Sequence, residues 1–216
     1  MKILIAAATE QEISPLRERS GFDGIKLHYV ITGIGMLAAG IRLTQAIHAH
    51  KPDLVIQAGI AGGYEKNLAL GSVVVVKEEF LADLGVEENG EWKDIFDLKL
   101  SEDSVHPFQQ KGLRLTLSNK FSSTGLPEVT SVTINEITTR KERIQEIIKK
   151  YNPAIESMEG AALHYACIVE NLPFIQLRSI SNYIGERDKS KWKIGEAIKN
   201  LNNVVYELVN KISKTL

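Results

Sequence analysis

Cysteine is all but missing from this 216-residue chain, with Cys167 the single example. A lone thiol excludes an intramolecular disulfide framework and a structural zinc site built on several thiolates. An excess of charge of one sign is also missing. Lys and Arg total 26 against 27 Asp and Glu, a formal net charge of −1, so no global field draws in nucleic acid or an anionic membrane surface. Long apolar runs are absent too. The one candidate for a targeting segment, Ile3 to Ala8, is shorter than a signal h-region of roughly 7–15 residues and gives way at once to Thr9-Glu10-Gln11-Glu12. No stretch approaches the ~20 apolar residues that span a bilayer. His28, His48, His50, His106 and His164 show no metal-ligand spacing, and no metal or organic cofactor is expected. A soluble protein of a reducing, cytoplasmic compartment is the expectation, with no nucleic-acid or membrane partner.

What is present is an α/β pattern. Lys2–Ala8 reads as a strand buried on both faces, because its apolar run does not alternate with polar residues. Leu27–Ile31, Leu54–Ala58 and Val73–Val76 read likewise as strands, and the helix expected over Met36–His50 carries Leu37, Ile41, Leu43, Ala46 and Ile47 towards the core. Residues 85–112 are polar and offer no long element. Further strands are expected over Leu113–Leu117, Val129–Ile134 and Pro173–Ser179. Helices are expected over Thr139–Tyr151 (with Ile144, Ile147 and Ile148 inward), from Gly160 to Glu170, and over Trp192–Ile212. With no repeat or linker, residues 1–216 form one domain: a mixed central sheet flanked by helices.

Ligands of such sheets gather at the carboxyl ends of strands, and four ends here are chemically furnished. They are Thr9-Glu10-Gln11-Glu12, Ala58-Gly59-Ile60-Ala61-Gly62-Gly63, Glu156-Ser157-Met158-Glu159 and Arg178-Ser179-Ile180-Ser181-Asn182. Each has a plain structural reading as well. Thr9-x-x-Glu12 fits a capping box, although Ser14-Pro15 offers a competing helix start. The glycines suit a tight turn and lack the Lys-Ser/Thr of a phosphate loop. Met158 suits a core. Glu159, set among residues fit for burial, needs a partner or a ligand; Arg178 is a candidate partner in a buried ion pair. Asn182 suits a turn, and the Lys-rich segment 187–193 a solvated approach to a helix.

Together, in this order, these segments resemble the nucleoside phosphorylase/nucleosidase family over nearly the whole chain, most weakly between residues 85 and 135. The nearest likeness is to its methylthioadenosine/S-adenosylhomocysteine nucleosidase branch. Ser179-Ile180-Ser181-Asn182-Tyr183-Ile184-Gly185-Glu186-Arg187-Asp188, with Trp192 and Asn135-Glu136-Ile137-Thr138, is most similar to the branch that releases hypoxanthine from futalosine in menaquinone biosynthesis. The resemblance implies that Glu12 positions and deprotonates a water with help from Arg178. It implies that Glu159 accepts hydrogen bonds from ribose hydroxyls and that Met158 packs on the sugar. Ile60, Ala61, Gly62, Glu136, Ile137 and Ser157 would complete the substrate contacts, and a homodimer or larger homo-oligomer is implied.

Two departures carry information. The nucleosidases have an aspartate acid where Asn182 stands. An amide offers two N–H donors and one acceptor oxygen and is not an acid near neutral pH; two donors suit the N7 and O6 of a 6-oxopurine, whereas the amino group of adenine would meet a donor. Ile60 stands where relatives often carry a hydroxyl. Thr-Glu-Gln-Glu-Ile-Ser at 9–14 brings two acids and no base, which favours an attacking water over a phosphate dianion. The expected function is hydrolysis of a purine nucleoside. The competing readings are phosphorolysis, an adenine-directed nucleosidase, and a nucleoside-binding protein without turnover.

Overall fold

Side chains alternate across strand β1 (Lys2–Ala7): Ile3 and Ile5 enter one apolar cluster, Leu4 and Ala6 another, and all four are buried. A strand covered on both faces has no solvent side to keep polar, which accounts for its uninterrupted apolar run. The computed structural model that shows this describes residues 1–64, 67–115 and 124–215. The first cluster is roofed by α1 (Glu10–Arg17) and α5 (Ile194–Ser213), through Ile13, Leu16, Leu201, Val205 and Ile212. The second is roofed by α2 (Met36–His50) and α4 (Gly160–Val169), through Leu43, Ile47, Leu163 and Cys167.

Strands β2 (Lys26–Ile31) and β3 (Leu54–Gly63) run parallel to β1 on either side. Beyond β3 the sheet becomes mixed. β3 pairs in parallel with β10 (Phe174–Tyr183), and β10 pairs antiparallel with β4 (Val73–Leu81). β4 meets β8 (Glu128–Thr133) in parallel, β8 meets β9 (Ile155–Ser157) in parallel, and β9 returns antiparallel to Gly62 and Gly63 of β3. The expected mixed sheet with flanking helices is therefore observed, with five of its strands closed into a ring. Closure depends on strand length. β3 and β10 have 10 residues each, enough to serve different neighbours along their length. Register shifts in the β10–β3 and β4–β8 ladders supply local bends.

Several expectations are corrected. Gly59–Gly63 is the second half of β3 and not a loop, because β10 and β9 hydrogen-bond to it; small residues mark a crowded strand here. The strand expected to end at Ser179 continues to Tyr183 by the same pairing. Helix α1 starts at Glu10 with Thr9 as its N-cap, and Pro15 lies inside it, where its missing N–H removes only one bond of a short helix. Residues 85–112 contain a hairpin of β5 (Gly85–Glu88) and β6 (Glu91–Asp94). Strand β7 covers only Leu113–Arg114; residues 116 and 117 of the longer strand lie outside the described ones.

Leu37 and Ile41 are 78% and 53% exposed; α2 turns Ala39, Leu43, Ala46 and Ile47 inward instead, leaving a second apolar strip outside. In α3 (Lys141–Tyr151) the buried residues are Arg143, Ile147 and Tyr151, while Ile144 and Ile148 are half-buried. The Arg143 guanidinium is accommodated by stacking 3.9 Å from the Trp92 ring centroid and donating to the Ala82 carbonyl at 2.6 Å. Among the described residues no helix is long and apolar enough to cross a membrane.

Candidate active site

The carboxyl ends of β1, β3, β8, β9 and β10 converge on a cavity of about 410 Å³. Glu12, Ile60, Ala61, Gly62, Ile137, Ser157, Met158, Glu159 and Asn182 all line it. Two expected site residues do not. Arg178 lies behind the wall, and Glu136 is exposed, with its backbone N–H donating to Asp83 at 3.2 Å.

In Glu12 the capping geometry and the cavity position coexist. Its Oε2 accepts from the Thr9 N–H at 2.9 Å and the Thr9 hydroxyl at 3.0 Å, as a capping carboxylate does. Its Oε1 accepts from the Ile60 N–H at 3.1 Å. Asn202 of α5 donates to the Glu12 carbonyl at 2.8 Å, which ties the start of α1 to the closing helix. The carboxylate is thus buried, held from two sides and placed at the cavity edge.

Glu159, which immediately precedes α4, accepts from the Gly35 N–H at 3.0 Å through Oε1. Its Oε2 lies 3.6 Å from Arg178 Nη1. Arg178 also donates to the Gln57 side chain at 2.9 Å and the Ile60 carbonyl at 3.4 Å. Among the described residues its ion pair is therefore with Glu159 and not with Glu12. Gly59 stands between the two acids' territories: a Cβ there would lie 2.2 Å from Arg178 Nη1 and 3.1 Å from Glu12 Oε1. A side chain at that position would have to displace the Arg178 guanidinium.

A third buried acid braces the site from below. Glu79 accepts from Ser131 at 3.0 Å, Thr133 at 2.9 Å and Gln176 at 3.1 Å. Thr133 in turn accepts from the Ala161 N–H at 2.7 Å, in the first turn of α4. Full burial drives the Glu79 carboxyl up to about 7, against the opposing effects of Arg178 and the three donors.

Asn182 reaches the cavity with its amide partly engaged. Its Oδ1 accepts from the Ser181 hydroxyl at 2.8 Å, and its Nδ2 donates to the Tyr183 carbonyl at 3.3 Å. One N–H is left, where the amide on its own offers two.

Sequence reasoning missed part of the lining. Gln11, Thr138, Glu156, the segment Ile184–Arg187 and Trp192 also face the cavity. Arg187 and Trp192 come from the segment expected to be only solvated; Arg187 lies 5.6 Å from the Trp192 ring centroid, and Trp192 Nε1 donates to the Glu186 carbonyl at 3.2 Å. Glu156 is buried, and burial lifts its carboxyl to about 7. Its presence in a buried β-strand end was the available signal. Among the described residues no group of three or more His, Cys, Asp or Glu is arranged to hold a metal ion.

Comparison with known proteins accords with this architecture. The futalosine hydrolase of Thermus thermophilus is 30% identical over 190 residues, covering 88% of this chain and 84% of its own. The futalosine hydrolase of Streptomyces coelicolor is 31% identical, covering 86% and 82% respectively. Among solved structures, the 5′-methylthioadenosine/S-adenosylhomocysteine nucleosidase of Colwellia psychrerythraea in complex with adenine superimposes with a TM-score of 0.82. That match has 21% identity and covers 98% of this chain and 96% of the other, so it speaks to the fold. The family described as the phosphorylase superfamily matches residues 3–212, and on that match the chain belongs to the phosphorylase superfamily.

Proposed function

We propose that this chain hydrolyses the N-glycosidic bond of a 6-oxopurine nucleoside, with futalosine as substrate and hypoxanthine as the base released, in menaquinone biosynthesis. The observation that carries the reading is the meeting of Glu12, Glu159 and Asn182 around one cavity. Cleavage of such a bond passes through a ribosyl cation-like state, which needs a water beneath C1′, a grip on the ribose and relief of charge on the base. Glu12, anchored by Thr9 and Ile60, takes the water's proton. Glu159 accepts from the ribose hydroxyls, with Arg178 behind it, and Met158 packs on the sugar. Ile60, Ala61 and Gly62 bring backbone close to the nucleoside, and Ile137 and Ser157 complete the wall. The Asn182 N–H meets the base edge and favours an acceptor such as O6 over the amino group of adenine.

Acidic lining favours water over phosphate as nucleophile: Glu12, Glu156, Glu159 and Glu186 face the cavity against Arg187, and Arg178 is engaged behind its wall. The second reading, a 5′-methylthioadenosine/S-adenosylhomocysteine nucleosidase, rests on the shared fold. One panel decides: futalosine, aminofutalosine, inosine, adenosine and methylthioadenosine, each with and without phosphate, followed by chromatography of the released base. Hypoxanthine from futalosine without phosphate is the expected result. Phosphate-dependent release would make the chain a phosphorylase, preferential adenine release from methylthioadenosine the nucleosidase, and binding without turnover a nucleoside-binding protein.

The active form is a homodimer or larger homo-oligomer. Its support is the outward apolar strip of Leu37 and Ile41 together with exposed Tyr165 and Val169, the latter two lining a cavity of about 430 Å³ between α2 and α4. The free, buried Cys167 accords with a reducing cytoplasm.

A further inference from the structure

Asn182 leaves the departing base without an acid, since an amide does not give up a proton near neutral pH. One of its N–H groups is also already taken by the Tyr183 carbonyl. A carboxyl stands beside it. Gly62 pairs with Asn182 on one side and with Glu156 on the other. A Cβ at Gly62 would lie 2.4 Å from Ile184 Cδ1 and 3.6 Å from both Asn182 Nδ2 and Glu156 Cγ. The two side chains therefore flank one patch of cavity wall, on neighbouring strands either side of Gly62, with the Ile184 methyl seated over the glycine.

Glu156 is 6% exposed and lines the cavity. Among the described residues its hydrogen-bond partner is the Tyr64 hydroxyl, which donates to Oε2. This bond leaves Oε1 available to a ligand. We propose that Glu156 is the proton donor to the departing base, an inference that rests on the nucleoside-hydrolase reading above. As the C1′–N9 bond breaks, its electron pair passes into the purine. The Glu156 proton moves to a ring nitrogen of that base, while a water oxygen bonds C1′ and gives its proton to Glu12. Glu156 ends ionised and Glu12 protonated, and exchange with solvent restores both.

The surroundings suit this role. Burial raises the Glu156 carboxyl to about 7, the charge of Asp83 pushes the same way, and the Tyr64 hydrogen bond opposes them. Arg143 is the cation that acts on Tyr64. A group so placed is still substantially protonated near neutrality, where a general acid is most effective.

The test is the pH dependence of kcat for futalosine in phosphate-free buffer, for the wild type, Glu156→Gln, Glu156→Asp and Tyr64→Phe. Wild-type kcat should fall as pH rises through neutrality. Glu156→Gln should lower kcat about 10²-fold below neutrality and abolish that alkaline limb, with Glu156→Asp recovering part of the rate. Tyr64→Phe, which removes the bond that favours the ionised carboxylate, should move the limb to higher pH. Glu156→Gln within about threefold of wild type, an alkaline limb that survives it, or a change confined to KM or base preference would each overturn the inference. Should Glu156→Gln fail to fold, an unmoved limb in Tyr64→Phe would overturn it. A wild type that releases no base from any nucleoside overturns the parent reading, whereas wild-type turnover with an unchanged Glu156→Gln profile overturns this assignment alone.

Discussion

Glu12 Oε1 accepts a hydrogen bond from the Ile60 N–H at 3.1 Å, joining the start of α1 to the second half of β3. With Oε2 held by Thr9, the carboxylate has little freedom to turn away from the cavity. Glu12→Gln keeps the size of the side chain and removes the base. It should lower kcat roughly 10²–10⁴-fold with little change in substrate affinity; a near-normal kcat would leave Glu12 as a capping residue only.

Glu159→Gln should weaken both binding and rate. The substitution removes the charge that faces Arg178 at 3.6 Å and presents a donor where ribose hydroxyls need an acceptor. The loss of a hydrogen bond to a charged group, ~1.5–3 kcal/mol, corresponds to roughly ten- to hundredfold in kcat/KM. Unchanged kinetics would confine Glu159 to its ion pair.

Asn182→Asp should shift preference towards adenine nucleosides, because a carboxyl group accepts from a 6-amino group where an amide N–H opposes it. Mismatched buried donors cost about 1–3 kcal/mol, so the ratio of adenosine to inosine turnover should rise roughly ten- to hundredfold. An unaltered ratio would refute the amide as the selector of base.

Gly59→Ala puts a methyl 2.2 Å from Arg178 Nη1 and 3.1 Å from Glu12 Oε1. The arginine has to move, since β3 is fixed on both sides by hydrogen bonds. Overpacking of this kind costs about 1–3 kcal/mol, to be read as a lower Tm, and kcat should fall with it. Wild-type Tm and kcat together would contradict the crowding described here.

Glu79 links stability to pH. Its folded carboxyl is raised to about 7 from 4.5, so between those values the folded chain holds a proton that the unfolded chain has lost. This group's contribution therefore becomes less favourable as pH rises through that window and levels off above it, by about 3 kcal/mol in all. Glu156 acts in the same direction. Urea denaturation of Glu79→Gln beside wild type, at several pH values, should show the difference moving in favour of the variant as pH rises. Parallel stability profiles would show that Glu79 does not titrate in this way.

Much of the fold was legible because burial leaves a local trace. β1 showed two covered faces in the five consecutive apolar residues Ile3–Ala7, and α2 ends at His50 just before Lys51-Pro52, as its stop signal indicated. The orientation of α2 was less legible: Leu37 and Ile41 have the same helical spacing as core residues, and spacing does not say which of two apolar strips meets the sheet. The glycines of β3 read as a turn because glycine carries no mark of the strands that flank it.

By itself, the chain's residue order determined the apolar strands and helices and the chemistry available at the strand ends: Glu12, Glu159, an amide at 182. Tertiary structure alone decided that Arg178 pairs with Glu159, that Glu136 stays outside the cavity and that Glu156 comes to stand beside Asn182 across Gly62. The reason is that strand register is set by backbone hydrogen bonds between segments far apart in sequence. A shift of one residue turns a side chain to the opposite face of the sheet, and no local pattern records which partner a strand will meet.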